Sequence, residues 1–232
     1  MRAAVYRRTG DSSVLSVEEM DTPEPGPGQV RVRVACSGVN PTDWKTRSGV
    51  TGASPDDFQV PHQDGAGVID AVGDGVEDRV VGQRVWVMLA AFANRWGTAA
   101  EHTVVPAERT MPLPDGASDD LGASLGVPAV TAALCLGGDR AALAATTVLV
   151  AGGAGAVGHY AVELAKHAGA RVVATVSSEE KAALARAAGA DLVVDYRQPG
   201  AIDQVRSFAP RFDRIVEVAF GDNLVLDVAV SG

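Results

Sequence analysis

Residues 148–181 read VLVAGGAGAVGHYAVELAKHAGARVVATVSSEEK, and no other stretch narrows the choice of fold as much. A short apolar run leads into a cluster of glycines. An alanine-rich run with helical spacing follows, ends at Gly169, and gives way to a second apolar run. Strand, turn, helix and strand within about 30 residues make a βαβ unit, whose parallel strands need a right-handed crossover. Gly153, Gly155 and Gly158 fit G-x-G-x-x-G, and Gly152, Gly155 and Gly158 fit G-x-x-G-x-x-G equally. Glycine there admits positive φ, lets a pyrophosphate meet bare backbone, and allows helix and strand to pack closely. The helix N-terminus offers its unpaired N–H groups to the phosphates. The turn in this setting predicts dinucleotide binding.

Which dinucleotide depends on the end of ARVVATVSS. An acid there would accept bonds from the adenosine ribose hydroxyls and repel a 2′-phosphate. Val176 holds that position, Ser177 and Ser178 can donate hydrogen bonds, and Lys181 adds a cation one turn on. A phosphate monoester suits this combination, so NADPH is expected over NADH. The same residues also read as a serine N-cap with a solvated lysine, and the two readings are compatible.

The texture of the chain changes near residue 117. Before it, QVRVRVACSGV, GAGVIDAVG, QRVWVML and AAEHTVVP read as half-buried strands bounded by turn residues, as in a barrel or sandwich. After it, strands alternate with helices, as in a parallel sheet. SDDLGASLGVPAVTAALCLGG opens that half with Ser118 as an N-cap. The expected domains are therefore residues 1–116 and 117–232. The last helical stretch, NLVLDVAVSG, comes before a doubly wound sheet would be finished, so the second domain is expected to be incomplete at its C-terminus. The net charge of -9, without a Lys/Arg cluster, argues against nucleic acid and anionic membrane as partners. Cys36 and Cys135 stand far apart, in no metal-ligand spacing, and no leader or spanning segment is evident. A soluble, cytoplasmic protein is expected.

Five motifs occur in order: SGVNPTDWKTRSG, PHQDGAGVIDAVGDGVEDRVVGQRVW, GTAAEHTVVPAERTMPLPDG, LGVPAVTAA and the glycine stretch. Together they resemble the zinc-independent quinone oxidoreductase branch of the medium-chain dehydrogenase/reductase superfamily. The resemblance spans essentially the whole chain. It implies α/β plus β architecture: a GroES-like β-barrel catalytic domain, then a Rossmann doubly wound parallel sheet, with a cleft between them. In the superfamily's zinc alcohol dehydrogenases a cysteine stands at the place of Asn40 and a histidine at that of Gln63. The run of four cysteines that holds their structural zinc is absent here. His62, Asp64 and His102 yield no ordered set of three ligands, so no metal is expected.

Without a metal nothing stabilises the alkoxide of an ordinary alcohol, whereas conjugation in a quinone or enone disperses the charge that hydride addition creates. The expected reaction is NADPH-dependent reduction of a quinone or related conjugated carbonyl. A reductase of enoyl thioesters or 2-alkenals, and a non-catalytic NADPH-binding protein, are the alternatives. The resemblance makes Asn40 a polar contact for the substrate, although an Asn before Pro also suits a turn. Lys45 falls where relatives often have a tyrosine, and could donate a proton or bind phosphate. Phe92 and Trp96 would line the substrate pocket. Ala154, Gly155, Ala156 and Val157 would form the pyrophosphate loop. Ser177, Lys181 and Tyr196 would meet the adenosine 2′-phosphate and base edge, with Thr131 and Asn223 near the cofactor. A homodimer is expected of the complete protein.

Overall fold

The computed structural model describes residues 1–231, in two compact units, Met1–Val127 and one from Pro128 onward. In the first unit β1 (Arg2–Val5) and β2 (Ser16–Glu19) pair as an antiparallel ribbon. The next five strands are β3 (Gln29–Gly38), β4 (Asp64–Val72), β5 (Arg84–Val87), β6 (His102–Pro106) and β7 (Thr110–Pro112). They form one antiparallel sheet in the order β6-β3-β4-β5-β7. Alternate valines of β3 point into a core of Val30, Val32, Ile69, Val85, Val87 and Val105, as the two-residue period demands. The GVNPTD segment is more than a turn. Asn40 is the N-cap of α1 (Pro41–Arg47), with Pro41 at the first helical position, where a missing N–H costs nothing.

Ser118 accepts the N–H of Leu121 and so caps α2 (Asp119–Ala123), which packs on β3 and β4. The apolar run beyond does not continue as one helix. A π-helical turn, Leu125–Ala129, contains Pro128, which has no N–H for a regular ladder, and α3 (Val130–Cys135) follows. The compact units divide at Val127/Pro128, so α2 belongs with the first, eleven residues past the boundary read from texture.

In the second unit, after α4 (Arg140–Leu143), come β8 (Thr147–Val150), α5 (Ala156–His167), β9 (Arg171–Val176) and α6 (Glu179–Ala187). The chain continues through β10 (Leu192–Asp195), α7 (Ala201–Phe208), β11 (Arg214–Val216) and α8 (Phe220–Val230). The four strands are parallel, in the order β10-β9-β8-β11, which reverses direction next to the first strand as a doubly wound sheet does. Both faces are covered. Val148, Val150, Val172, Ala174 and Val176 meet α5 and α6 residues on one side, while Leu149, Val173 and Val194 meet α7 and α8 on the other. Burial on both faces explains why these strands read as continuous apolar runs in the sequence. Among the described residues no helix is long and apolar enough to cross a membrane.

Candidate active site

The glycine turn joins β8 to α5 at the carboxyl end of the sheet. Gly152 has φ +62°, a left-handed conformation that favours glycine, and Gly155 is the N-cap of α5. A Cβ on Gly158 would lie 2.2 Å from the Gly152 carbonyl oxygen, so helix and turn touch backbone to backbone. The first-turn amides of Ala156, Val157 and Gly158 have no carbonyl four residues back within the helix, and glycine at the cap brings no side chain to cover them. Bare first-turn amides behind a glycine cap fit the pyrophosphate of a dinucleotide.

At the end of β9, Val176 turns into the apolar cluster, and Ser177 is the first polar side chain beyond it. Ser178 caps α6 by accepting the Lys181 N–H at 3.3 Å. Lys181 Nζ donates to Ser177 Oγ at 2.9 Å. The N-cap and the cation–hydroxyl pair thus coexist. Among the described residues Lys181 has no carboxylate in ion-pair range. The backbone N–H of Tyr196 donates to the Val176 carbonyl at 3.2 Å, which brings Tyr196, 48% exposed, alongside Ser177. Asn223 lies past the end of β11, its Nδ2 donating to both carboxylate oxygens of Glu217 at 2.9 and 3.1 Å. Thr131, half-buried, sits on α3.

In the first unit Asn40 is buried, 8% exposed, among acids. Its backbone N–H donates to Asp43 Oδ2 at 2.6 Å, and its Nδ2 donates to Asp64 Oδ2 at 2.7 Å. Burial pushes the Asp43 carboxyl up to about 6, helped by the charge of Asp64. Burial also raises Asp64, against the N–H groups of Val127 and Asn40 that favour its ionised form. Beside them His62 adopts φ +78°. Thr98 Oγ1 gives its only proton to the Asp64 carbonyl. Ser37 must therefore be the donor to Thr98 (2.8 Å), and His62 Nδ1 the donor to Ser37 (2.9 Å). The neutral His62 ring is thus the Nδ1–H tautomer, and burial together with the Arg47 charge depresses its basicity.

The other sequence candidates lie apart from this cluster of acids. Lys45 is exposed on α1, its ammonium 5.9 Å from the Trp44 ring centre. Phe92 is 59% exposed, with Arg109 5.8 Å from its ring centre. Trp96 packs edge-on against Phe58 at 5.0 Å in a small core with Val5 and Val60. The sequence alone offers Asp64 only as a possible metal ligand. Its signal was there: an acid at the head of the buried DGAGVI run is out of place unless its oxygens are occupied.

An antiparallel sheet unit followed by a parallel sheet with a glycine turn after its first strand defines a nucleotide-dependent dehydrogenase of two parts. Residues 26–115 match the alcohol dehydrogenase GroES-like domain and residues 156–231 the zinc-binding dehydrogenase domain. The quinone oxidoreductase of Rattus norvegicus is 33% identical over 231 residues, 98% of this chain and 69% of the relative. Among solved structures, an NAD-dependent alcohol dehydrogenase aligns with TM-score 0.88 and 31% identity, covering 100% of this chain and 75% of that one. A mycobacterial protein complexed with NADPH aligns with TM-score 0.83 and 30% identity, covering 100% and 71%. The chain belongs to the quinone oxidoreductase branch of the medium-chain dehydrogenase/reductase family and is an oxidoreductase.

The zinc in the name of the second domain can be tested on the donor set. Zinc takes thiolate, imidazole or carboxylate, whereas Asn40 and Gln63 offer neutral amides. Asn40 Nδ2 is a donor committed to Asp64, whose Oδ2 also accepts the Val127 N–H at 2.8 Å. Among the described residues no group of three or more His, Cys, Asp or Glu side chains could hold a metal ion. These residues do not fit zinc.

Proposed function

We propose that the chain reduces quinones or related conjugated carbonyls with NADPH, without zinc. The observation that carries this reading is the pairing of Lys181 with Ser177 at the end of β9, with no acid at the strand's last position. A phosphate monoester is the ligand that an ammonium without a carboxylate partner, a hydroxyl and a neighbouring N-cap recognise together. The amides of the 152–158 turn would hold the pyrophosphate, Ser177 and Lys181 the 2′-phosphate, and Tyr196 the base edge, with Thr131 and Asn223 nearby. NADPH, when bound, supplies a hydride.

An acceptor that is already electron-poor suits a site whose polar group is an amide. As the conjugated carbonyl gains negative charge, the Asn40 amide donates a hydrogen bond to its oxygen, an electrostatic stabilisation that grows toward the transition state. Lys45, an exposed ammonium on α1, is the proposed proton donor or phosphate contact, and exposed Phe92 the proposed wall for the substrate. Trp96, engaged with Phe58, contributes from behind. The proposal includes a homodimer as the working form and the cytoplasm as its location.

NADPH oxidation is measured with 1,4-benzoquinone, with a 2-alkenal and with crotonyl-CoA, alongside metal analysis of the protein used. Turnover of the quinone by protein lacking stoichiometric zinc is expected. Preference for crotonyl-CoA would move the reading to enoyl-thioester reduction. Saturable NADPH binding without turnover of any of the three would move it to a binding protein.

A further inference from the structure

We propose that Asp64 is a positioning residue that fixes which end of the Asn40 amide faces the substrate, an inference that rests on the role given to Asn40 above. Asp64 is 0% exposed at the first position of β4. A carboxylate so placed is costly unless its oxygens are engaged, and this one is built into a slot. Its Oδ2 accepts two N–H bonds, from Asn40 at 2.7 Å and from Val127 at 2.8 Å. Its carbonyl accepts from Thr98. Its Oδ1 is buried without a hydrogen-bond partner among the described residues and lies against Gly126, where an added Cβ would come within 2.2 Å, and Gly38 closes on its Cβ, where the distance would be 3.0 Å. No side chain larger than glycine fits at Gly126 while the carboxyl stays in place.

A free asparagine side chain can present nitrogen or oxygen at the same point, because its two ends are nearly the same shape. Asp64 Oδ2 already accepts the Val127 N–H and is an acceptor toward Asn40 as well, so it admits the nitrogen and refuses the oxygen. One Asn40 N–H is thereby spent on Asp64. The second N–H is left as the donor for a developing oxyanion, and the amide cannot turn its oxygen toward that charge. Asp64 acts through Asn40 and through the position of Val127, without itself touching substrate. No metal is needed to hold this orientation.

The test uses the full chain and two variants. Asp64→Asn keeps the shape and an acceptor for Val127, but can also donate, so the constraint that Asp64 places on the Asn40 amide is lost. Gly126→Ala keeps the charge and pushes the carboxyl out of its slot. The side-chain amide resonances of Asn40, assigned by their loss in Asn40→Ala, are recorded together with NADPH affinity, kcat and KM for 1,4-benzoquinone. We expect the Asn40 amide pair to shift or double in both variants while NADPH affinity holds. For quinone, kcat should fall by up to about 100-fold, short of the ~10²–10³ for losing an oxyanion donor outright, with KM nearly unchanged. Adding Asn40→Ala to Asp64→Asn should cost no more than Asn40→Ala alone, because the two act as one unit. Unchanged amide resonances in both variants, or losses that multiply in the double variant, would overturn the proposal. Should the parent protein turn over no quinone, the functional reading fails, and the resonances still decide the positioning role. A variant that does not fold leaves the decision to the other.

Discussion

A single methyl group on Gly158 probes the cofactor turn more sharply than any charge change. The added Cβ would lie 2.2 Å from the Gly152 carbonyl oxygen, 2.8 Å from its carbon and 3.0 Å from the Gly153 Cα. All three are backbone atoms, so no rotamer relieves the clash. Non-bonded carbons settle near about 3.5–4.0 Å, so turn and helix must separate by roughly an ångström. Overpacking of this kind costs about 1–3 kcal/mol. Alanine's better helix propensity returns up to about 1 kcal/mol. The net loss of up to about 3 kcal/mol corresponds to a fall in Tm of up to roughly 12 °C for a chain of this length. Moving the turn also misplaces the amides proposed for the pyrophosphate, so NADPH affinity should drop with stability. Gly221→Ala is the control: it lies in α8 with nothing within 4 Å of the added Cβ, and should leave Tm unchanged or slightly raised. Calorimetry and fluorescence titration of NADPH read both quantities. Gly158→Ala with the parent's Tm and the parent's affinity would refute the close backbone contact and the role of the turn.

Two further predictions concern acids whose environments pull in opposite directions. Burial holds the Asp43 carboxyl at about 6, above its unfolded value of 3.8, so the folded state binds more protons between those values. Stability should therefore fall by on the order of 2 kcal/mol as pH rises from about 4 to above 6, and Asp43→Asn should remove that slope in urea titrations at several pH values. Asp191 is the reverse case. Although partial burial works the other way, Lys166 (2.8 Å) and the Val172 N–H (2.6 Å) hold its carboxyl below the ordinary 3.8. Its contribution is present above that value and lost as pH falls through the lowered one. Asp191→Ala should thus cost about 1 kcal/mol at pH 7, reduced by solvent screening at this partly exposed pair, and progressively less as pH falls below the ordinary carboxylate range, as thermal melts would show.

The second unit was legible because its signals are local. Short apolar runs, glycine closures such as Gly169, and the serine cap Ser178 each act within a few residues, and strands β8 and β9 lie where their apolar runs predict. The helix from Ser118 onward was broken by Pro128, a local rule outweighed by the helical periodicity around it. In the first unit β1 and β2 pair across ten intervening residues, and β2 is solvent-facing with little alternation, so the ribbon gave no sequence signal. Among site residues, the Ser177–Lys181 pair follows from helical spacing alone. Asn40 with Asp64 does not, because 24 residues separate the partners and only the fold of β4 against α1 joins them. Trp96 shows the same limit: aromatic identity alone does not separate a pocket wall from a core packed on Phe58.

The central claim is that an adenosine 2′-phosphate sits on Ser177 and Lys181. The direct measurement is the pair of dissociation constants for NADPH and NADH in the parent and in Lys181→Ala, at one fixed ionic strength. Hydrogen bonds to charged groups are worth about 1.5–3 kcal/mol, so NADPH binding should weaken by roughly 10–150-fold while NADH binding stays nearly constant. Equal losses for the two dinucleotides, or none for either, would contradict the account.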